Sequence, residues 1–262
     1  MANDNKKGGI VPAGNKGLVP IGKQPGKGLA ALAGGKASFK AAIAKPAATP
    51  PARRAELLAT ALAATSAPKG KLVFGFDATA SRSPAWDRAR QVTDALFEAI
   101  PGRLSVALAV HGGSVLHTFT EFSSDPFTLR DQAASIHCQA GATRMVPILE
   151  MSAEKDARVV VYIGDVFEES SDDAIKAANA LKAKGCRVIV LQDGDESRSG
   201  TIFRDIASRT GGAVLPFGSG SVERLRELLE AAGVLAVGGM KLLQERRKSL
   251  PGAMLLLAHI QE

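Results

Sequence analysis

The 262 residues predict an α/β fold, a doubly wound and mostly parallel six-stranded sheet with one antiparallel edge strand. Three observations carry this. Short runs such as Leu72–Phe76 and the β-branched Val159–Ile163 are apolar throughout, as strands covered on both faces must be. Stretches with apolar residues three or four apart separate them, which is the helical period. A Gly112-Gly113 pair joins two strands too closely for a crossover, so that pair is antiparallel.

Met1 to Pro50 is rich in Gly, Ala, Pro and Lys with no helix or strand period, and is expected to be a disordered basic arm. Residues 51–68 are expected to form a short helix and linker, with Leu57, Leu58, Ala61 and Leu62 making an apolar stripe that can dock on the domain. The domain is expected over 69–239. Its first strand, Leu72–Phe76, ends in Asp77; Ser83-Pro84 then opens a helix through Ala85, Ala89, Val92, Leu96 and Ile100, stopped by Pro101-Gly102. Leu104–Val110 and Val115–Phe122 are the hairpin. Helices follow over Pro126–Ile136 and Met145–Lys155, then strand four over Arg158–Ile163, closed by Gly164-Asp165. Ser171 with Asp172 and Asp173 starts the next helix, Arg187–Leu191 is strand five, Gly200–Arg209 a helix, Ala213–Pro216 strand six and Ser221–Ala232 a helix. Residues 240–262 form a C-terminal helical extension, one helix over Met240–Lys248 and an apolar tail packed back on the domain.

The net charge of +7 is uneven. Up to Lys71 there are twelve Lys and Arg against two acids, whereas the rest has twenty-one against twenty-four. The basic character therefore belongs to the arm, which could make weak contacts with nucleic acid or an acidic partner, or simply keep the chain soluble. Cys138 and Cys186 cannot build a disulfide framework or a zinc knuckle. No apolar core of signal-peptide length follows the N-terminus, and no apolar stretch reaches a membrane span, so a cytoplasmic protein without a membrane span is expected.

Chemistry concentrates at Asp77-Ala78-Thr79-Ala80-Ser81. In an extended loop residues two apart face one side, so a carboxylate and two hydroxyls can cluster as hard oxygens suited to Mg²⁺ or Mn²⁺. The same residue types also cap helices and build turns. Ligands of doubly wound sheets sit where the strand order reverses, between strands one and four, which end in Asp77 and Asp165. With Thr143, in the loop before the helix that precedes strand four, five oxygen side chains converge from three loops.

Asp77-Ala78-Thr79-Ala80-Ser81, Thr143 within Gly-Ala-Thr, and Ile163-Gly164-Asp165 resemble the metal-ion-dependent adhesion site of von Willebrand factor type A domains. The usual first motif there is Asp-x-Ser-x-Ser; Thr79 keeps the hydroxyl and adds a methyl. The resemblance covers Lys71 to Gly239. Phe122–Pro126, Gly164–Glu169, Thr210–Ala213 and Ala236–Gly239 are similar to a largely uncharacterised bacterial, intracellular branch. The resemblance implies a non-enzymatic protein-binding module. Thr79 and Ser81 would ligate Mg²⁺ directly, and Thr143 directly or through water. Asp77 and Asp165 would hold ordered waters, and an Asp or Glu of a partner protein would complete the shell. Arg82, Trp86, Arg144 and Glu168 form the expected rim around it. The two arginines either steer an acidic partner or pair with Glu168 and Glu169, the second reading being slightly favoured; for Trp86, core packing is the commoner fate of a lone Trp.

Two other readings compete. A haloacid-dehalogenase-like phosphatase also ends its first strand in Asp, and Gly164-Asp165 with Glu169 fits it, but Thr79 stands where its second Asp acts as general acid. A metal-independent scaffold would act through the basic arm instead. Nucleotide binding lacks a phosphate loop: Gly218-Ser219-Gly220-Ser221 is an ordinary capping loop. His111, His117 and His137 have no triad or zinc spacing, and the first two are expected in the hairpin.

Overall fold

The computed structural model describes residues 70–93, 95–98, 102–217 and 222–260. The expected arm and linker over 1–68 and the capping loop at 218–221 lie outside them. Six strands, β1 (Gly70–Asp77), β2 (Leu104–Gly112), β3 (Val115–Phe119), β4 (Val159–Gly164), β5 (Arg187–Gln192) and β6 (Ala213–Pro216), form one sheet in the order β3-β2-β1-β4-β5-β6. Every pairing is parallel except β2 with β3. The order reverses between β1 and β4, which pair from Leu72 with Val159 to Phe76 with Ile163.

The strand period of two divides the core into two layers. Leu72, Phe74 and Phe76 face one side, with Val106, Leu108, Val161 and Ile163. Over this layer lie α1 (Ser83–Arg90), α2 (Ala95–Glu98), α3 (Pro126–Ala134), α7 (Val222–Arg246) and α8 (Pro251–His259). Val73, Ala107, Val160, Tyr162 and Val188 face the other side, against α4 (Met145–Glu154), α5 (Ser171–Ala183) and α6 (Ser197–Thr210). Tyr162 and Phe203 are the bulkiest fully buried side chains on that side, and Gly75 leaves room for the tyrosine: a Cβ there would come 3.2 Å from its ring.

Three elements differ from expectation. The helix after β1 is two pieces, α1 and α2; between them Val92 and Thr93 are β-branched neighbours, and Thr93 Oγ1 donates back to the Arg90 carbonyl, a bond that competes with the helical ladder. Ser170 rather than Ser171 caps α5, its Oγ accepting from the Asp173 amide, while Asp172 and Asp173 sit in the first turn as expected. The stretch 233–238, left between the expected helices Ser221–Ala232 and Met240–Lys248, is helical. Ala231 to Ala236 are buried along it, so small apolar residues let α7 run close to the sheet until Gly239, whose φ of 63° interrupts the helix. The C-terminal tail packs back as expected: Leu243, Ala253 and Leu256 are buried in the same layer as Leu72. Among the described residues no helix is long and apolar enough to cross a membrane.

Candidate functional site

β1 delivers Asp77 to the carboxyl edge of the sheet, where the adjoining strands β2 and β4 seal it from water. One oxygen, Oδ1, accepts the Thr79 amide at 3.0 Å. The other, Oδ2, is buried without a hydrogen-bond partner. Burial foremost, with the negative charge of Asp165 nearby, pushes the Asp77 carboxyl up from 3.8 to about 6; the Thr79 amide and the Arg82 charge pull the other way.

The turn Ala80–Arg82 follows. Thr79 is extended, and its Oγ1 lies 3.5 Å from Ser81 Oγ, so the two hydroxyls share a side. The segment is braced from outside: the Gln139 amide donates to the Ala78 carbonyl, and Gly141 folds against Gly113, with a backbone (φ 155°) and a clearance that admit no Cβ.

Thr143 is buried and tied reciprocally to the loop after β4. Its amide donates to Glu168 Oε2 at 2.9 Å, and its Oγ1 accepts the Glu168 amide at 3.1 Å. Glu169 then caps α4, its Oε2 accepting the Met145 and Val146 amides. Asp165 is partly exposed and accepts the Val166 amide on Oδ1.

Thr79, Ser81, Gly141, Thr143, Asp165 and Glu168 line one open cavity of about 290 Å³. Four of the five residues singled out as ligands thus meet around one space, and Asp77 lies buried at the root of the same loop, close enough to Asp165 for their charges to interact.

The expected rim is different. Arg82 is buried rather than solvent-facing; its Nη1 bonds Asp193 and lies 3.9 Å from Asp165 Oδ2, so it pairs with neither Glu168 nor Glu169. Trp86 is also buried, packed on Phe76 with ring centroids 4.6 Å apart, because its place one turn into α1 faces the sheet. Arg144 spends its Nε on the Ser114 carbonyl and its amide on His111 Nδ1. Of the four, Glu168 lines the cavity.

Three residues of the site escape a reading of the sequence. His111 sits on β2 in register with Asp77, fully buried, with Nδ1 accepting the Arg144 amide and Nε2 bonded to the Tyr162 hydroxyl at 2.8 Å. Burial foremost lowers its pKa to about 4, so the ring is neutral and donates from Nε2. Burial likewise pushes the Tyr162 phenol well up. Asp193 is the third, one residue past β5. An Asp within two residues of the end of three of the parallel strands was the available clue.

Among the described residues no group of three or more His, Cys, Asp or Glu side chains could hold a metal by itself, so the donor set of this cavity depends on its hydroxyls.

No protein-family model and no curated protein matches the chain. Solved structures do. The pilus adhesin SpaC from Lactobacillus rhamnosus GG is similar at a TM-score of 0.50 and 11% identity, over 64% of this chain and 30% of that one. The SpRpn10 VWA domain is similar at 0.48 and 10%, over 61% of this chain and 94% of that one. Proximal thread matrix protein 1 of the mussel byssus is similar at 0.48 and 16%, over 65% of this chain and 46% of that one. The chain thus spans nearly the whole of one of these and less than half of the other two. Identities this low speak to fold alone: this is an α/β fold whose sheet runs in the order β3-β2-β1-β4-β5-β6 with one antiparallel edge.

Proposed function

We propose that this chain is a protein-interaction module whose carboxyl sheet edge holds Mg²⁺, or Mn²⁺ in its place, and through that ion takes up an exposed Asp or Glu of a partner protein. The observation that carries the reading is the cavity in which Thr79, Ser81, Thr143 and Asp165 meet from three loops above the unpartnered Oδ2 of Asp77. A buried carboxylate oxygen with no donor calls for a cation or a water. The other donors are hard oxygens, the set Mg²⁺ takes.

Thr79, Ser81 and Thr143 would hold the ion, and Asp77 and Asp165 would balance its charge. When bound, the ion supplies an electrophilic centre for an incoming carboxylate. The Thr143–Glu168 exchange and the Glu169 cap keep the third loop in place for it.

A binding role fits the titratable groups better than catalysis does. Thr79 stands where a phosphatase of this geometry needs a second acid. His111 is neutral and, like Tyr162, sealed inside, out of reach of a substrate.

Calorimetric titration of the EDTA-stripped chain with MgCl₂ tests this. One site is expected, lost in Asp77→Ala while the variant stays folded by circular dichroism. No heat and no shift in melting temperature with the unaltered chain would overturn the reading.

A further inference from the structure

Among the described residues Arg82 carries a buried guanidinium with two nitrogens that have no hydrogen-bond partner. Its side chain is 5% exposed, Nη1 is bonded to Asp193 Oδ2, and the same Nη1 stands 3.9 Å from Asp165 Oδ2, inside ion-pair reach but beyond a hydrogen bond. Nε and Nη2 are buried with no partner at all. Guanidinium groups favour two-pronged pairing with carboxylates, so a cation with spare donors beside a second carboxylate would be expected to close on it. It does not, and the reason lies one residue past β5. The Asp193 amide donates to the Gly164 carbonyl at 2.9 Å, which fixes Asp193 beside the root of Asp165 and anchors the carboxylate that holds Nη1.

We propose that Asp193 is a positioning residue: by holding Arg82 it keeps the guanidinium off Asp165, leaves that carboxylate facing the cavity, and so sets the affinity of the site for a divalent cation. This rests on the cation reading given above. Arg82 cannot move away, because it closes the Ala80–Arg82 turn directly after Ser81. Freed from Asp193, its nearest carboxylate is Asp165, and a positive charge seated there repels an incoming cation across a short, poorly screened distance.

The test is a double-mutant cycle on the full chain, reading Mg²⁺ affinity by calorimetry in the unaltered protein, Asp193→Asn, Arg82→Met and the double variant. Asp193→Asn is expected to weaken binding about tenfold or more with Arg82 present, and by no more than about twofold once Arg82 is Met. Circular dichroism and thermal melting check that each variant folds; if Arg82→Met does not, Arg82→Gln removes the charge while keeping a donor for Asp193. A merely structural role for Asp193 would not be relieved by deleting Arg82. Unchanged affinity in Asp193→Asn, or the same loss in both backgrounds as plain removal of one negative charge gives, overturns the inference and leaves the cation site standing. Absence of Mg²⁺ binding by the unaltered protein overturns both.

Discussion

Asp77→Asn should stabilise the metal-free protein at neutral pH, and the size of the effect follows from where the carboxyl sits. The folded-state pKa of about 6 lies above the ordinary 3.8. Between these values the native state holds more proton than the unfolded chain, so stability falls as pH rises through the window; the penalty is complete above about pH 6 and absent below about pH 4. At about 1.4 kcal/mol per pH unit the full penalty is about 3 kcal/mol. Asn carries no charge and escapes it, while its Oδ1 can still accept the Thr79 amide. Its amide hydrogens take the place of the unpartnered Oδ2, and burying them unsatisfied costs about 1–3 kcal/mol at every pH. The net gain near pH 7 is then at most about 2 kcal/mol, or up to about 8 °C in melting temperature for a domain of this size. Urea denaturation in EDTA at intervals from pH 4 to 7.5 separates the parts: the constant cost offsets the curves, whereas the titration makes the gap between variant and parent change by about 3 kcal/mol across the window. With Mg²⁺ at a hundred times its dissociation constant the order should reverse, because only the parent gains the roughly 2.7 kcal/mol of ligand linkage. A gap that stays flat from pH 4 to 7.5 would refute the reasoning, since it would mean that Asp77 is not held in a site that resists its charge.

Two further substitutions probe the supports. Tyr162→Phe strips the partner from His111 Nε2, which is fully buried, and should cost about 1–3 kcal/mol in urea denaturation while changing Mg²⁺ affinity by less than about threefold. Gly141→Ala places a Cβ 2.4 Å from the Gly113 backbone at a φ of 155°; the loop carrying Thr143 must shift, so a loss of more than about 2 kcal/mol in stability and at least tenfold in Mg²⁺ affinity by calorimetry is expected.

Much of the architecture is legible because it follows from period. Apolar runs of four to six residues mark β1, β4 and β5, and the Gly112-Gly113 link marks the one antiparallel pair. Where local chemistry competes with period, the reading fails: Thr93 turns its hydroxyl onto the backbone and cuts a helix that the spacing of Val92 and Leu96 continues. The oxygen side chains of Thr79, Ser81, Thr143 and Asp165 could be placed at one rim because strand ends and loops are countable along the chain. The partners of Arg82 could not. Spacing puts it beside the motif, but only the turn of the backbone decides that it points inward to Asp193, a residue 111 positions away. Trp86 is the same lesson on a helix, and His111 on a strand: register pairs it with Asp77, and register belongs to the assembled sheet.

Gly70 opens β1 at the edge of the sheet opposite the cavity, and it is wedged against Ala236 and Val237 so closely that a Cβ would meet their backbone at 2.6–2.8 Å. Seven steps of extended chain lead from that entry point to Asp77, about 23 Å at strand rise. A group joined directly to Gly70, in a chain shortened to begin there, therefore meets the sheet at the pole away from the cavity. An affinity handle or surface tether placed directly at Gly70 can immobilise the shortened protein with its hydroxyl-lined mouth turned outward when searching for a binding partner.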